Sequence, residues 1–189
     1  RRMSRLLTDL RKLAELETSP LSLEEVDVVE TVQDAVDAVI EETTARGQPA
    51  QVRVNMPQVP WPLPRVMADG DLLYSAVYNV ISNAAKYTPP GGVIEVRGRE
   101  EHGTVAVEVA DTGIGVPEEE VDLVFRELGR ASNARGLPGS GLGLALVRTI
   151  MERHAGTASM ASRQGVGTRV LLTLPAAGQS APRRRRSPA

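Results

Sequence analysis

The chain has no cysteine among its 189 residues, which excludes a disulfide framework and a zinc site built on thiolates. No apolar run reaches the roughly 18–20 residues that a membrane-spanning helix needs. Aromatic residues make up only 3% of the sequence, so we expect a core of valine, leucine, isoleucine and alanine. The net charge of -2 offers no overall positive field for nucleic acid. The chain starts at Arg1 rather than methionine, and we expect it to be part of a longer protein.

Lysine is scarce as well, since only Lys12 and Lys86 among the 22 basic residues are lysines. Lys86 lies in the stretch NVISNAAKYTPPGG, residues 79–92, where Asn79, Asn83 and Lys86 follow one another at steps of four and three. These steps place the three side chains on one stripe of a helix. An amide oxygen can bind a hard cation and an ammonium can hold a phosphate. The stripe therefore predicts a site for a metal-bound polyphosphate, and the alternative is a set of ordinary surface residues.

Hydrophobic periodicity predicts a mixture of helices and strand pairs. We expect helices at 1–17, 29–45, 70–86, 117–128 and 141–154, short strands at 26–28, 52–54 and 65–69, and hairpins within 93–111 and 157–175. This order predicts an α+β fold, a two-layer α/β sandwich with the helices on one face of a mixed, mostly antiparallel sheet.

Three glycine-containing motifs accompany the polar stripe. DTGIG, residues 111–115, follows an apolar strand; GSGLGLALV, residues 139–147, opens a helix; and QGVGT, residues 164–168, precedes the last strand. A carboxylate at a strand end can accept from an exocyclic amine such as that of adenine, and N–H groups at a helix N-terminus suit phosphate. Each motif alone is also consistent with an ordinary turn or helix cap, since glycine permits positive φ. The P-loop and Rossmann patterns are absent.

Taken together and in this order, the motifs resemble the catalytic, ATP-binding domain of sensor histidine kinases, within the superfamily that includes gyrase and Hsp90. NVISNAAKYTPPGG is similar to the N box of that family, DTGIGVP to its first glycine box, VFRELGR to its F box and GSGLGLALV to its second glycine box. GVGT is similar to its last Gly-Thr element. The resemblance implies the Bergerat-type ATP-binding fold.

The resemblance also implies three parts. Residues 1–20 resemble the end of a dimerisation and phosphotransfer helix, whose Met3, Leu6, Leu10 and Leu13 form a narrow apolar seam that needs a partner helix. Residues 24–175 correspond to the catalytic ATP-binding domain. Residues 176–189, which include PRRRR, are expected to be a disordered basic tail.

ATP and Mg²⁺ are the ligands that the resemblance implies. Asn83 would coordinate Mg²⁺, with Asn79 beside it near metal or phosphate, and Lys86 would neutralise phosphate. Asp111 would bind the adenine amine, and Thr168 would reach the same edge of the base through water. The other implied nucleotide contacts are Tyr87, Gly113 and Gly115, together with Gly139, Gly141, Gly143, Arg130 and Arg135 around the phosphates.

Two departures from the family pattern bear on the F box and on the phosphoacceptor. The second aromatic of the F box is replaced by Leu128, which changes the expected packing of the lid. Neither His102 nor His154 has the context of the phosphoacceptor, and we expect them to be an ordinary turn residue and an ordinary helix-end residue. The acceptor histidine is then expected upstream of Arg1. We also expect the segment from Arg126 to Pro138 to be the most mobile part of the domain without nucleotide.

The resulting prediction is a protein-histidine kinase domain of a two-component sensor, which transfers the γ-phosphoryl of ATP to that upstream histidine. The alternatives are a Ser/Thr kinase of the anti-sigma type and a nucleotide-binding docking module without transfer activity. Expected partners are a response regulator and a second copy of the full-length protein, joined through the hairpin, with no nucleic acid. The resemblance implies a cytoplasmic domain of a protein anchored in the bacterial cell membrane.

Overall fold

The computed structural model describes residues 11, 14, 16, 18–134, 136–137 and 139–178. Its helices are α1 (Val28–Ala45), α2 (Gly70–Tyr87) and α3 (Gly143–Arg153). Its strands are β1 (Glu24–Val26), β2 (Val52–Asn55), β3 (Val66–Ala68), β4 (Ile94–Glu101), β5 (Thr104–Asp111), β6 (Thr157–Arg163) and β7 (Gly167–Pro175). No helix in this described part is long and apolar enough to cross a membrane.

Five strands form one sheet in the order β2-β4-β5-β7-β6. Strands β4 and β5 pair antiparallel, as do β5 with β7 and β6 with β7. Strand β2 runs parallel to β4, which requires a long crossover connection, and α2 lies within that connection. Strands β1 and β3 form a separate antiparallel pair. The expected two-layer fold with a mixed, mostly antiparallel sheet is therefore confirmed.

Valine dominates the core, as expected for a chain with few aromatic residues. The three helices pack over one face of the sheet, where the alternating side chains of β5 and β7 point inward. Helix α1 contributes Val28, Val32, Val36 and Val39, helix α2 contributes Leu73, Val77, Val80 and Ile81, and α3 contributes Leu146, Val147, Ile150 and Met151. Burying each such side chain stabilises the fold by about 1.5–3 kcal/mol before entropy is considered.

The segment that precedes β1 is attached to the end of α3. Leu16 is only 4% exposed and belongs to the core. The guanidinium of Arg153 donates to the carbonyl of Leu16 and, over 2.7 Å, to that of Ser19. The apolar seam of Met3, Leu6, Leu10 and Leu13 lies outside the described residues, so its partner remains a prediction.

Two expected elements differ from the structure. Residues 117–128 do not form an α-helix, because only two 3₁₀ turns occur there, Glu118–Glu120 and Leu123–Phe125, and Arg126 is extended. The expected strand at 26–28 lies two residues earlier, since Asp27 caps α1 by accepting from Val29 N over 2.9 Å.

The start of the expected disordered tail is also ordered. Ala176 is buried and forms a bridge with Val66, and Ala177 N donates to Arg65 O over 2.7 Å. The PRRRR segment lies outside the described residues.

Candidate nucleotide site

The polar stripe lies on α2, as the spacing predicted. Asp69 caps this helix by accepting from Leu72 N over 3.2 Å. Because Leu73, Val77 and Ile81 face the core, the helix has one fixed orientation, and Asn79 and Asn83 are left half-buried at its flank. Burial of the apolar face thus positions the two amides.

The stripe faces the glycine turn that precedes α3. A Cβ at Gly139 would lie 2.5 Å from Lys86 Nζ, and a Cβ at Gly143 would lie 3.1 Å from Asn79 Oδ1 and 3.8 Å from Asn83 Nδ2. A side chain at either position would therefore displace the Lys86 ammonium or the Asn79 amide from this gap. The ammonium of Lys86 donates to Tyr87 Oη over 2.6 Å and lies 4.1 Å from the centre of the Tyr87 ring. The structure therefore brings both asparagines, Lys86, Tyr87 and the glycine turn together.

This gap fits a phosphate-bound cation by the chemistry of its donors. Asn79 donates through Nδ2 to Ser75 O over 2.7 Å, which leaves its Oδ1 directed at the gap. Among the described residues, the Asn83 amide has no hydrogen-bond partner. No group of three or more His, Cys, Asp or Glu in the described ranges is placed to hold a metal ion. Mg²⁺ ordinarily uses one or two protein ligands and completes its octahedron with phosphates and water, and the donors here suit that habit.

Asp111 lies at the other end of the site, at the last position of β5. Its Oδ1 accepts from Gly113 N over 2.8 Å and from Thr168 N over 3.3 Å. Both bonds end on Oδ1, so Oδ2 remains the acceptor for a ligand. Burial raises the pKa of Asp111, and the two N–H groups act in the opposite direction. A partly buried carboxylate with one oxygen held by two backbone N–H groups is a well-oriented acceptor.

The first glycine box closes tightly around this carboxylate. A Cβ at Gly113 would lie 2.6 Å from Tyr87 O and 2.7 Å from Asp111 Oδ1. Gly115 has a φ of +63°, and a Cβ there would lie 2.1 Å from Arg163 O. Any larger residue at either position would push the loop away from the strand ends. These two glycines therefore form the wall beside Asp111.

Thr168 lies opposite Asp111 on the neighbouring strand β7, and its hydroxyl contacts a second hydroxyl. Its Oγ1 lies 2.9 Å from Ser162 Oγ. Ser162 Oγ also lies 3.0 Å from Gly167 O and accepts from Val116 N over 2.8 Å. Sequence reasoning missed Ser162. The sequence feature that could have identified Ser162 is its alternation with Ala158 and Met160, which pack against the core. This alternation places a hydroxyl on the inward face of β6.

Residues 117–141 connect the first glycine box to α3, and we call this segment the lid. Val124, Phe125, Ala131 and Ala134 form its own small apolar cluster. The guanidinium of Arg148 lies 4.6 Å from the centre of the Phe125 ring. The lid thus packs against Leu144 and Arg148 of α3, and also against Ala158 and Met160 of β6, which contact the main core.

Polar contacts attach the lid to the first glycine box as well. Asn133 Nδ2 donates to Gly115 O over 2.9 Å, and its Oδ1 is buried with no partner among the described residues. Within the lid itself, Glu120 accepts from Ser132 N over 2.7 Å. Neither Asn133 nor Glu120 was predicted, because their partners lie 18 and 12 residues away along the chain.

Arg130, one of the two arginines expected to contact the phosphates, does not extend the phosphate site in this structure. Arg130 donates to Ala134 O over 2.6 Å and also to Leu137 O, so its guanidinium is engaged within the lid. Arg135 lies outside the described residues, and its phosphate contact stays a prediction. Gly141 has a φ of +78°, and a Cβ there would lie 2.9 Å from the carbonyl carbon of Leu128. The F box turn therefore packs directly on the second glycine box.

The two histidines occupy structural positions. His102 is in the tight turn of the β4–β5 hairpin with a φ of 50°. His154 is buried at the end of α3, where Nδ1 lies 2.7 Å from Ile150 O and Nε2 accepts from Asp69 N over 2.9 Å. Their expected positions, in a turn and at a helix end, are confirmed.

Comparison with known families and proteins agrees with this geometry. A model of the histidine kinase-, DNA gyrase B-, and HSP90-like ATPase family matches residues 68–178, more than half of the chain. The signal transduction histidine-protein kinase/phosphatase MprB of Mycolicibacterium smegmatis is 36% identical over 155 residues, which cover 82% of this chain and 30% of that protein. The sensor-like histidine kinase SenX3 of Mycobacterium tuberculosis is 33% identical over 172 residues, covering 90% and 40%. The chain thus spans well under half the length of these relatives.

Solved structures show the same similarity. The mycobacterial sensor histidine kinase MprB superposes with a TM-score of 0.69 at 31% identity, over 82% of this chain and 97% of that one. Full-length ShkA, whose structure is a complex with AMPPNP, superposes with a TM-score of 0.76 at 26% identity, over 94% and 36%.

Proposed function

Because this chain belongs to the histidine kinase-, DNA gyrase B-, and HSP90-like ATPase family, we propose that it is the ATP-binding catalytic part of a two-component sensor histidine kinase. It transfers the γ-phosphoryl of ATP to a histidine that lies upstream in the full-length protein. The observation that carries this proposal is the gap between α2 and the glycine turn, where Lys86 Nζ lies 2.5 Å from the position of a Gly139 Cβ. An ammonium held over a side-chain-free turn suits a polyphosphate.

The phosphates bind in this gap. Lys86 supplies the ammonium, and we expect the free N–H groups at the start of α3 to bind the same phosphates. Asn83, with Asn79 beside it, would hold Mg²⁺. When bound, Mg²⁺ neutralises charge on the phosphate oxygens. Arg130 and Arg135 are proposed to reach the phosphates only after the lid rearranges, because Arg130 now bonds to lid carbonyls.

The adenine binds at the strand ends. Its exocyclic amine donates to Asp111 Oδ2, and Thr168 contacts the same edge through water. Gly113 and Gly115 allow the base to lie against the backbone, and Tyr87 lies at the junction of base and phosphates. The base end and the phosphate end thus fix the two ends of one nucleotide.

The reaction requires little acid–base chemistry from this chain. The imidazole nitrogen forms a bond to the γ-phosphorus, the bond from that phosphorus to the β–γ bridging oxygen breaks, and ADP leaves with that oxygen. Asn79 stands where hydrolysing members of the superfamily carry a glutamate, and an amide cannot accept a proton from water. We therefore expect slow hydrolysis without the acceptor histidine.

The full-length protein is proposed to act as a homodimer through its phosphotransfer hairpin and to pass the phosphoryl group to a response regulator. We further propose that it is anchored in the cell membrane with this domain in the cytoplasm.

The direct assay incubates the chain with γ-labelled ATP, Mg²⁺ and a separately produced hairpin from the full-length protein. Acid-labile label on the hairpin histidine is expected, and a reaction without hairpin is the control. Acid-stable label on serine, or label on His102 or His154, would overturn the proposal.

A further inference from the structure

We propose that Ser162 helps to set which purine the site accepts, by fixing the hydroxyl of Thr168 as a hydrogen-bond acceptor towards the base. This inference rests on the proposed function, since it assigns a specificity-determining residue to the same nucleotide site. Ser162 acts through Thr168 and is therefore a positioning residue.

The sheet register brings the relevant residues into one row. Asp111 pairs with Thr168 across β5 and β7, and Thr168 pairs with Ser162 across β7 and β6. All three lie on the face of the sheet that the helices cover, because they share the alternation of Val109, Val170 and Met160. Ser162 is thus the third member of a row that begins with the residue proposed to bind the adenine amine.

Three contacts of Ser162 Oγ determine where the protons lie. Val116 N donates to this oxygen over 2.8 Å. The carbonyl of Gly167, at 3.0 Å, can only accept. If Ser162 directed its proton elsewhere, two oxygens would face each other at that distance without a hydrogen between them. Ser162 therefore donates to Gly167 O.

The proton of Thr168 follows from this assignment. Its Oγ1 lies 2.9 Å from Ser162 Oγ, and Ser162 has already used its only proton. Thr168 must then donate to Ser162, so its Oγ1 retains only lone pairs for the ligand. The site consequently presents acceptors alone at this edge, from Asp111 Oδ2 and Thr168 Oγ1.

An edge made only of acceptors selects bases by their donors. Adenine carries a 6-amino group with two N–H donors, whereas hypoxanthine carries a 6-oxo group that two acceptors repel. A bridging water between Thr168 and the base must direct one of its O–H groups at Thr168, because Thr168 can only accept from it. Without Ser162, the Thr168 hydroxyl is free to turn and donate, and a 6-oxo base is penalised less.

A merely structural role of Ser162 makes a different prediction. Its bond from Val116 N also holds the loop that follows the first glycine box. Loss of that bond alone would weaken every nucleotide to a similar extent, whatever the substituent at C6. The ratio of affinities for ATP and ITP, which differ in the 6-amino and 6-oxo groups, therefore separates the two roles.

The experiment measures the dissociation constants of ATP and ITP with Mg²⁺ for the chain and for Ser162→Ala, Thr168→Val and the double variant. The ratio of the dissociation constants of ITP and ATP should fall by about three- to tenfold in Ser162→Ala and in Thr168→Val, because each change removes the fixed acceptor at Thr168. The double variant should show no further narrowing, because both changes remove the same contact. Ser162→Thr keeps the hydroxyl and should restore the preference. Ser159→Ala changes an exposed serine on the same strand and should leave it unchanged.

The proposal is overturned if Ser162→Ala weakens ATP and ITP equally, or if Thr168→Val leaves their ratio unchanged. The second test stands even if Ser162→Ala does not fold. Failure of the unaltered chain to bind ATP at all would count against the proposed function instead.

Discussion

The two ends of the candidate site are built in different ways. At the base end, Asp111, Thr168 and Ser162 lie in register on three paired strands, and short bonds fix their polar atoms. By contrast, the described residues of the lid form three 3₁₀ turns and no α-helix or strand. The lid also buries the Asn133 Oδ1 with no partner among the described residues.

This difference indicates that the two ends have different functions. A rigid row of acceptors can discriminate between bases without moving, because its geometry is set before the ligand arrives. The described residues of the lid form no strand ladder and bury few apolar side chains, so we expect the lid conformation to be easily exchanged for another. We infer that the base end supplies recognition and that the lid supplies gating, with the α2 stripe between them.

The largest expected effect separates recognition from chemistry. Asn83→Ala removes the proposed Mg²⁺ ligand while leaving Asp111 and Thr168 in place. Transfer to the hairpin should fall by at least about 100-fold, because charge on the phosphates is no longer offset. Binding of adenosine alone should be unchanged. Asn55→Ala, at the exposed end of β2, is the matched control, and equal transfer by both variants would contradict the assignment.

A change at the base end should alter selectivity instead. Asp111→Asn keeps an oxygen for Gly113 N and Thr168 N but directs an amide N–H towards the base. Loss of a charged acceptor should weaken ATP by about 10- to 100-fold. ITP should be weakened much less, since its 6-oxo group can accept from the new amide. Calorimetric titration of both nucleotides measures this, and a parallel loss would show that Asp111 does not contact the C6 substituent.

Backbone exchange compares the two regions directly. Without nucleotide, amides of the lid between Arg126 and Leu137 should exchange at least about tenfold faster than those of β5 and β7, because the lid lacks a strand ladder and has few buried apolar side chains. Hydrogen exchange with peptide-level detection is the measurement. Lid protection equal to that of the sheet would contradict the inference that the lid moves while the base end stays rigid.

The base-end carboxylate should also reduce stability at neutral pH. Burial raises the pKa of Asp111, so the folded state favours the protonated form. The contribution of this group therefore favours folding at low pH and is lost as the pH rises through the folded pKa. Asp111→Asn should then raise the free energy of unfolding at pH 7, and the gain should shrink as the pH falls towards about 4. Urea unfolding at several pH values tests this, with the exposed Asp34→Asn as control.

Sequence reasoning succeeded where the local pattern of one segment determines its secondary structure and its buried face. The spacing of apolar residues in α2 fixes which face is buried, so Asn79, Asn83 and Lys86 were placed together correctly. Asp69, directly before this apolar pattern, caps the helix as local rules for N-caps would lead one to expect. Asp111 was located because an alternating strand ends at that position.

It failed where distant segments decide together. Val121, Val124, Phe125 and Leu128 have helical spacing, yet only Val124 and Phe125 are buried, and the chain turns at Arg126 to pack on the second glycine box. The role of Ser162 depends on the register of β6 with β7 and on Val116 from another loop. No local sequence pattern predicts a contact between segments that are so far apart in the chain.

The smallest expected effect concerns strain in the lid. Leu128 has a φ of 59° and is 60% exposed, so it is strained without being well buried. Relief of roughly 1–2 kcal/mol of strain exceeds the added unfolded-state entropy of glycine, about 0.4–1 kcal/mol. Leu128→Gly should therefore raise the free energy of unfolding by about 0.5–1 kcal/mol. Leu128→Ala keeps a Cβ and should give no such gain. Urea unfolding of the pair provides the measurement, and equal stability would mean that the F box turn relaxes without glycine, so that the lid stores no strain at this position.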